Sequence, residues 1–297
     1  MSYTIDDVFL LSADLDGRTR MAERINEKHP SCEEIPVARS ILSRPINAYG
    51  IGEGQRCITV IAGHHALESI TVNIAYLLTD YYLSLRPTDR INSVDCKLLL
   101  SKYRFIIVPC VNPDGIEMRF HGARKTPLYD RQMRMSGGDF SLWQSNARGV
   151  DLNHNYDYRF AEYKQLEAER GIVAGATLYS GEYPESEPET RGVANLIRVT
   201  SPSAVIALHS QGEEIYAFPP SQKAVRVGKR LSDMTGYSLS VPEDTAAYGG
   251  LCDYTGSLGI PSFTLELGKG KNPLPESEVR GIFPRIRNAI ALLPTIL

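Results

Sequence analysis

Cys57-Ile-Thr-Val-Ile-Ala62 is short, apolar and β-branched, and it runs through Gly63-His64-His65 into Ala66-Leu67-Glu68. Such a run predicts a strand buried on both faces, and the stretch from about residue 68 to 85 predicts a helix behind it. The same strand reading fits Phe105-Ile-Ile-Val-Pro-Cys-Val111, Ala204-Val-Ile-Ala-Leu208 and Ser262-Phe-Thr-Leu-Glu-Leu267. Helices are expected at 188–200, 222–235 and 276–293. Strands alternating with helices define an α/β fold, here one domain over residues 1–297 with a mixed, mostly parallel sheet and helices on both faces.

Outward from that centre, residues 13–28 suit an amphipathic helix carrying Leu15, Met21, Ala22 and Ile25. Residues 35–52 read as two strands around the Ser43-Arg44-Pro45 turn, and Gly50-Ile-Gly-Glu-Gly54 reads as a hairpin turn. It is not a dinucleotide loop, since no long helix follows it. Ser186-Glu-Pro-Glu189 has capping-box spacing, with Ser186 as N-cap. Pro284 interrupts the last apolar pattern, where a kink or a fresh helix start is expected. Residues 116–148 resist assignment and read as one long irregular segment. Its six basic residues, Arg119, Arg124, Lys125, Arg131, Arg134 and Arg148, outnumber Glu117, Asp130 and Asp139, leaving a local charge of +3. A cationic lip on a mildly acidic protein predicts a small acidic substrate.

The 297 residues, 42% hydrophobic and 23% charged, suffice for one large core. The net charge of −3 gives no reason to expect nucleic acid or an anionic membrane as partner. Acidic residues stand near the start where a signal peptide carries Lys or Arg, and no apolar run approaches a membrane span, so a cytoplasmic location is expected. Five scattered cysteines without a Cys-x-x-Cys pair predict reduced thiols, neither a disulfide framework nor a thiolate metal site.

The chemistry gathers at strand ends. His65 and Glu68, three residues apart at a strand-to-helix turn, can face one point above the sheet. His209 closes an otherwise apolar strand, where a buried imidazole needs a polar partner or a metal. Glu266, in a presumed central strand, is desolvated and calls for a paired or catalytic purpose. All four lie near the carboxyl ends of their strands, where open α/β sheets place their sites. Two imidazoles and a carboxylate can hold zinc with a position left open for water, and a further carboxylate can act as base. His64 is left as a hydrogen-bonding or lining residue. No Gly-x-Ser-x-Gly elbow is present to support a serine hydrolase.

Gly63-His-His65-Ala-Leu-Glu68, Asn112-Pro-Asp-Gly115, Gly149-Val-Asp-Leu-Asn153, Leu208-His209-Ser210, Tyr248-Gly-Gly250 and Thr264-Leu-Glu266-Leu-Gly268 follow one another along the chain. In that order they resemble the zinc carboxypeptidase (carboxypeptidase A) family. Within it, the segments 146–153, 248–254 and 266–275 are similar to bacterial γ-D-glutamyl-diaminopimelate peptidases. The resemblance implies one zinc per chain on His65, Glu68 and His209, with Glu266 as general base and later acid. It also implies a peptidase acting on cell-wall-derived peptides. The alternatives are a carboxypeptidase or amidase for other acidic peptides, and a catalytically silent zinc- or peptide-binding protein.

Two departures from the family pattern bear on substrate. Gln144 stands where relatives often carry the arginine that serves the developing oxyanion, leaving Arg148 and Arg124 as substitutes. Asn153-His154 stands where the family usually has Asn-Arg, and a histidine cannot supply a bidentate fork to a terminal carboxylate. Asn153 and His154 are still expected to meet substrate. Tyr248 lies near the slot of the family's mobile tyrosine, with Thr245 nearer in register.

Overall fold

In the computed structural model, which describes residues 3–219, 221–240 and 249–297, the buried runs assemble into one eight-stranded sheet. Its strands are β1 (Glu33–Arg39), β2 (Pro45–Ile51), β3 (Arg56–Ala62), β6 (Tyr103–Val108), β7 (Ala204–His209), β8 (Glu214–Phe218), β9 (Ser238–Ser240) and β10 (Ser262–Glu266). β4 (Arg90–Ile91) and β5 (Val94–Asp95) form a separate small hairpin. The order across the large sheet is β1-β2-β6-β3-β7-β10-β8-β9. The middle four strands are parallel; β1 with β2, β2 with β6, and β10 with β8 pair antiparallel.

The helices are α1 (Leu15–Lys28), α2 (Ile70–Leu83), α3 (Cys96–Lys102), α4 (Pro113–His121), α5 (Tyr129–Ser136), α6 (Phe160–Arg170), α7 (Pro188–Thr200), α8 (Gln222–Thr235), α9 (Leu251–Ser257) and α10 (Val279–Leu292). Two apolar cores explain why the middle strands carry no polar face. Ile58, Val60 and Ala62 of β3 and Ala204, Ile206 and Leu208 of β7 point to one side, against residues of α1, α2, α8 and α10. The alternate residues Cys57, Ile61, Val205 and Ala207 point to the other side, against α7 and α9. Thirteen of the fourteen residues of α2 are buried, which is why its sequence is apolar on every face. Each fully buried Ile, Leu, Val or Phe contributes about 1.5–3 kcal/mol, so this double core holds the strand ends rigidly in place.

Several expectations are corrected. Residues 116–148 are not one irregular segment: α4 enters this region and α5 lies within it. The start signal of α4 was present in Asn112-Pro113, with the Asn112 side chain accepting from Gly115 N and proline in the first turn. The helix α7 begins as expected, but its N-cap is Glu187 without a side-chain cap bond. Ser186 instead donates its hydroxyl to Glu187 Oε1. Pro284 neither ends nor restarts α10, which runs through it with Val279, Phe283, Ile286 and Ile290 all buried. That apolar stripe outweighs the lost backbone hydrogen bond. Gly50 and Ile51 end β2, and Gly52 to Gly54 lead on to β3 across the intervening β6, so this stretch is not a hairpin turn.

Candidate metal centre and its cleft

The turn after β3 is shaped by Gly63, which has φ +71°; a Cβ there would meet Val72 Cγ2 at 2.9 Å and the Cys110 backbone at 3.1 Å. A larger residue would force the strand exit apart. Beyond it, Ala66–Glu68 form a single 3-10 turn with His65 at its N-cap, which sets His65 and Glu68 on one side. Gln144 O fixes this turn by accepting from Ala66 N at 2.9 Å.

His65, Glu68 and His209 come together, each offering one ligand atom, all within 4.8 Å of one another. His65 Nδ1 lies 3.0 Å from Glu68 Oε1, and His209 Nδ1 lies 3.0 Å from Glu68 Oε2. The Ser210 backbone N–H donates to Glu68 Oε2 at 3.1 Å, fixing the carboxylate further. Burial opposes ionisation of Glu68, but the two imidazoles hold its pKa down to about 2. His65 is also disfavoured as a cation by burial, yet Glu68 and Asp151 raise its pKa well above the ordinary imidazole range. A metal bound here would take over the neutralisation of these carboxylates.

Three features suit this group to a metal. The donor set is two imidazoles and one carboxylate. His65 turns its other nitrogen, Nε2, to Asp151 Oδ1 at 3.1 Å, the carboxylate–histidine pairing that orients a ligating ring. His209 Nε2 is buried without a hydrogen-bond partner among the described residues, so none of them competes for the role of its ring. Asp151 itself is buried and accepts from Leu178 N and Asn153 N. Burial pushes its pKa upward, but His65 and these donors hold it far below the usual carboxylate range.

His64 points away from the ligand atoms. Its Nε2 lies 2.8 Å from the Tyr156 hydroxyl, and its ring stacks on His209 at 5.7 Å. Burial, with His209 and His65 nearby, pushes its pKa well below normal and keeps it neutral.

Glu266 is paired with His209 in the register of β10 and β7, so the two share one face of the sheet. It lines a cleft of about 750 Å³ together with His65, Glu68, Asn153 and His209. Desolvation raises its pKa to about 7, with Glu68 and Glu214 adding to the shift and His209 and His65 opposing it. A carboxylate near that value exchanges a proton readily at neutral pH.

Asn153 lines the cleft and accepts from Leu251 N through Oδ1 at 3.1 Å. The other substrate positions expected from sequence are not brought there. Arg148 is forked onto buried Glu187, with Nε to Oε2 at 2.9 Å and Nη2 to Oε1 at 2.8 Å, and lines a separate small hollow. Arg124 is ion-paired with Glu117, also buried. Both arginines neutralise acids that would otherwise be stranded in the interior, which fixes them away from the cleft. His154 stacks on Tyr163 with ring centres 4.3 Å apart and does not line the cleft. Tyr248 and Thr245 lie outside the described residues. Among the described lining residues of the cleft there is no Lys or Arg. Asp151 was missed as a site residue, although it stands inside the Gly149–Asn153 motif beside the expected ligands.

A buried two-histidine, one-carboxylate donor set opening on a cleft with another carboxylate in its wall is the equipment of a metal-dependent hydrolase. The chain belongs to the zinc carboxypeptidase family, which matches residues 19–284, and it is accordingly a zinc metallopeptidase. It is 32% identical over 273 residues to γ-D-glutamyl-L-diamino acid endopeptidase 1 of Lysinibacillus sphaericus, covering 88% of this chain and 67% of that one. The fold is similar to that of thrombin-activatable fibrinolysis inhibitor, with a TM-score of 0.74 and 22% identity over 98% of this chain and 75% of the other. It is also similar to murein-tripeptide amidase of Escherichia coli O157, with a TM-score of 0.56 and 22% identity over 88% and 91% of the two chains.

Proposed function

We propose that this chain hydrolyses the γ-D-glutamyl-diaminopimelate bond of cell-wall-derived peptides, with His65, Glu68 and His209 holding one zinc and Glu266 as general base. One observation carries the chemistry: Glu266 sits across from His209 in the strand register, on the cleft wall, with its pKa raised to about 7. Zinc, when bound, makes a water more acidic and polarises a carbonyl. Glu266 takes a proton from the attacking water and returns it to the amine as the carbon–nitrogen bond breaks, giving a peptide acid and a free amino acid. Asp151 holds the His65 ring in orientation, and Asn153 meets the leaving residue through its amide.

The substrate class is supported by the Lysinibacillus relative, whose name specifies a γ-D-glutamyl-diamino acid bond, and by the resemblance of residues 146–153, 248–254 and 266–275 to peptidases of that kind. Arg124 and Arg148 of the basic stretch add nothing to that support, because they are spent on Glu117 and Glu187. No helix among the described residues is long and apolar enough to cross a membrane. The five unbonded thiols favour a reducing compartment, and we place the protein in the cytoplasm.

The test is incubation of the zinc-loaded protein with L-Ala-γ-D-Glu-diaminopimelate. Released diaminopimelate is expected; an intact tripeptide after prolonged incubation rules that substrate out.

A further inference from the structure

Next to the proposed base, the cleft carries a second carboxylate that the reaction does not use. Glu214 is the antiparallel partner of Glu266 in the β8–β10 register, so the two side chains emerge side by side on one face. Alternation along β8 sends Ile215 and Ala217 into the core and brings Glu214, Tyr216 and Phe218 to the cleft. Glu214 Oε2 accepts from the Tyr216 hydroxyl at 2.8 Å, and its Oε1 accepts from the Ser240 hydroxyl. These two neutral donors orient the carboxylate without neutralising it. Among the described residues no ion pair reaches Glu214 or Glu266.

Like charges directly opposite on neighbouring strands are unfavourable. Several half-buried and buried acids elsewhere are neutralised: Glu117 by Arg124, Glu187 by Arg148, and Glu213 by Arg285. Glu214, like Glu266, meets no cation among the described residues, and two hydroxyls aim it into a space large enough for an amino-acid side chain, which Asp253 also lines. We propose that Glu214, held by Tyr216 and Ser240, is the specificity residue for a positively charged amino group on the side chain of the residue released by cleavage. This deepens the reading above and rests on it for the position of the scissile bond. The second amine of a diamino acid is the chemistry that fits. The released residue brings a cation to this wall, and its carboxylates fall to amide groups such as that of Asn153, which lines the same cleft.

The experiment is calorimetric titration of zinc-loaded protein with meso-diaminopimelate and with 2-aminopimelate, which has the same chain and carboxylates but lacks the second amine. The native protein is expected to bind diaminopimelate roughly ten- to hundredfold more tightly, the range for a charge-assisted hydrogen bond. Glu214→Gln, nearly isosteric, is expected to bring that ratio close to one, while Glu214→Asp retains part of it. A native ratio below about twofold, binding of neither compound, or an unchanged ratio in Glu214→Gln overturns the proposal. Intact L-Ala-γ-D-Glu-diaminopimelate together with a preserved, Glu214-dependent ratio would remove the proposed bond and leave this assignment standing. Cleavage of the tripeptide with no amine preference would do the opposite.

Discussion

The cleft at the ends of β3, β7 and β10 and the basic stretch at residues 116–148 are both rich in charge, yet they use it in opposite ways. In the stretch, Arg124 and Arg148 each meet a buried glutamate, and the charges cancel inside the fold. In the cleft, Glu68, Glu214 and Glu266 converge with two imidazoles and no basic side chain among the described lining residues. The lesson is that local net charge does not locate a ligand site. Charge left uncompensated after folding does, because burying it is costly unless a ligand or metal completes it.

The sharpest way to break this contrast is at Glu266. Glu266→Gln keeps shape but removes the proton acceptor, and kcat is expected to fall about 10²–10⁴-fold with bound zinc per chain unchanged. Metal analysis beside the rate assay checks both halves. Next in size is Asp151→Asn, which leaves His65 without its carboxylate partner. Zinc affinity is expected to weaken about 10–100-fold, read by competition with a chromogenic chelator.

Arg148→Ala probes the other region. Its kcat/KM is expected to stay within about twofold, while unfolding free energy drops by about 1–3 kcal/mol because Glu187 is left buried without its fork. Denaturant titration and the rate assay separate these outcomes. A large fall in kcat/KM with stability intact would return Arg148 to the substrate and break the contrast.

The smallest effect concerns an acid in neither region. Glu189 on α7 is buried; Ile41 N donates to its Oε1, while its Oε2 has no partner among the described residues. Desolvation raises its pKa from 4.5 to about 8. Between those values the folded chain holds a proton that the unfolded chain has lost, so this group makes stability fall as pH rises from about 4.5 to 8. Glu189→Gln is expected to flatten that part of the curve and to be more stable than the native chain above pH 8. Thermal melts from pH 5 to 9 check it.

The parts of the fold legible in sequence were those with a single dominant cause. The middle strands and α2 are apolar because they are covered all round, and α1, α7, α8 and α10 follow apolar periodicity. His65, Glu68, His209 and Glu266 stood out because each is a polar residue where a strand end should be apolar or a turn should be plain. What escaped depended on partners remote in the chain. The short antiparallel strand β8 alternates core and cleft residues, so Glu214 and Tyr216 acquire their place only with β10 laid beside them. The fate of Arg148 was set by Glu187, thirty-nine residues away, which no local pattern reveals. Asp151 needed the His65 ring, eighty-six residues distant, to acquire a role.

The convergence of three side chains on one metal is tested most directly by counting zinc in protein purified without chelator, for the native chain and for Glu68→Ala and His209→Ala. About one zinc per chain in the native protein, with most of it lost in both variants, is the result expected of a two-histidine, one-carboxylate site. Far less than one in the native protein, or full retention in either variant, would contradict it.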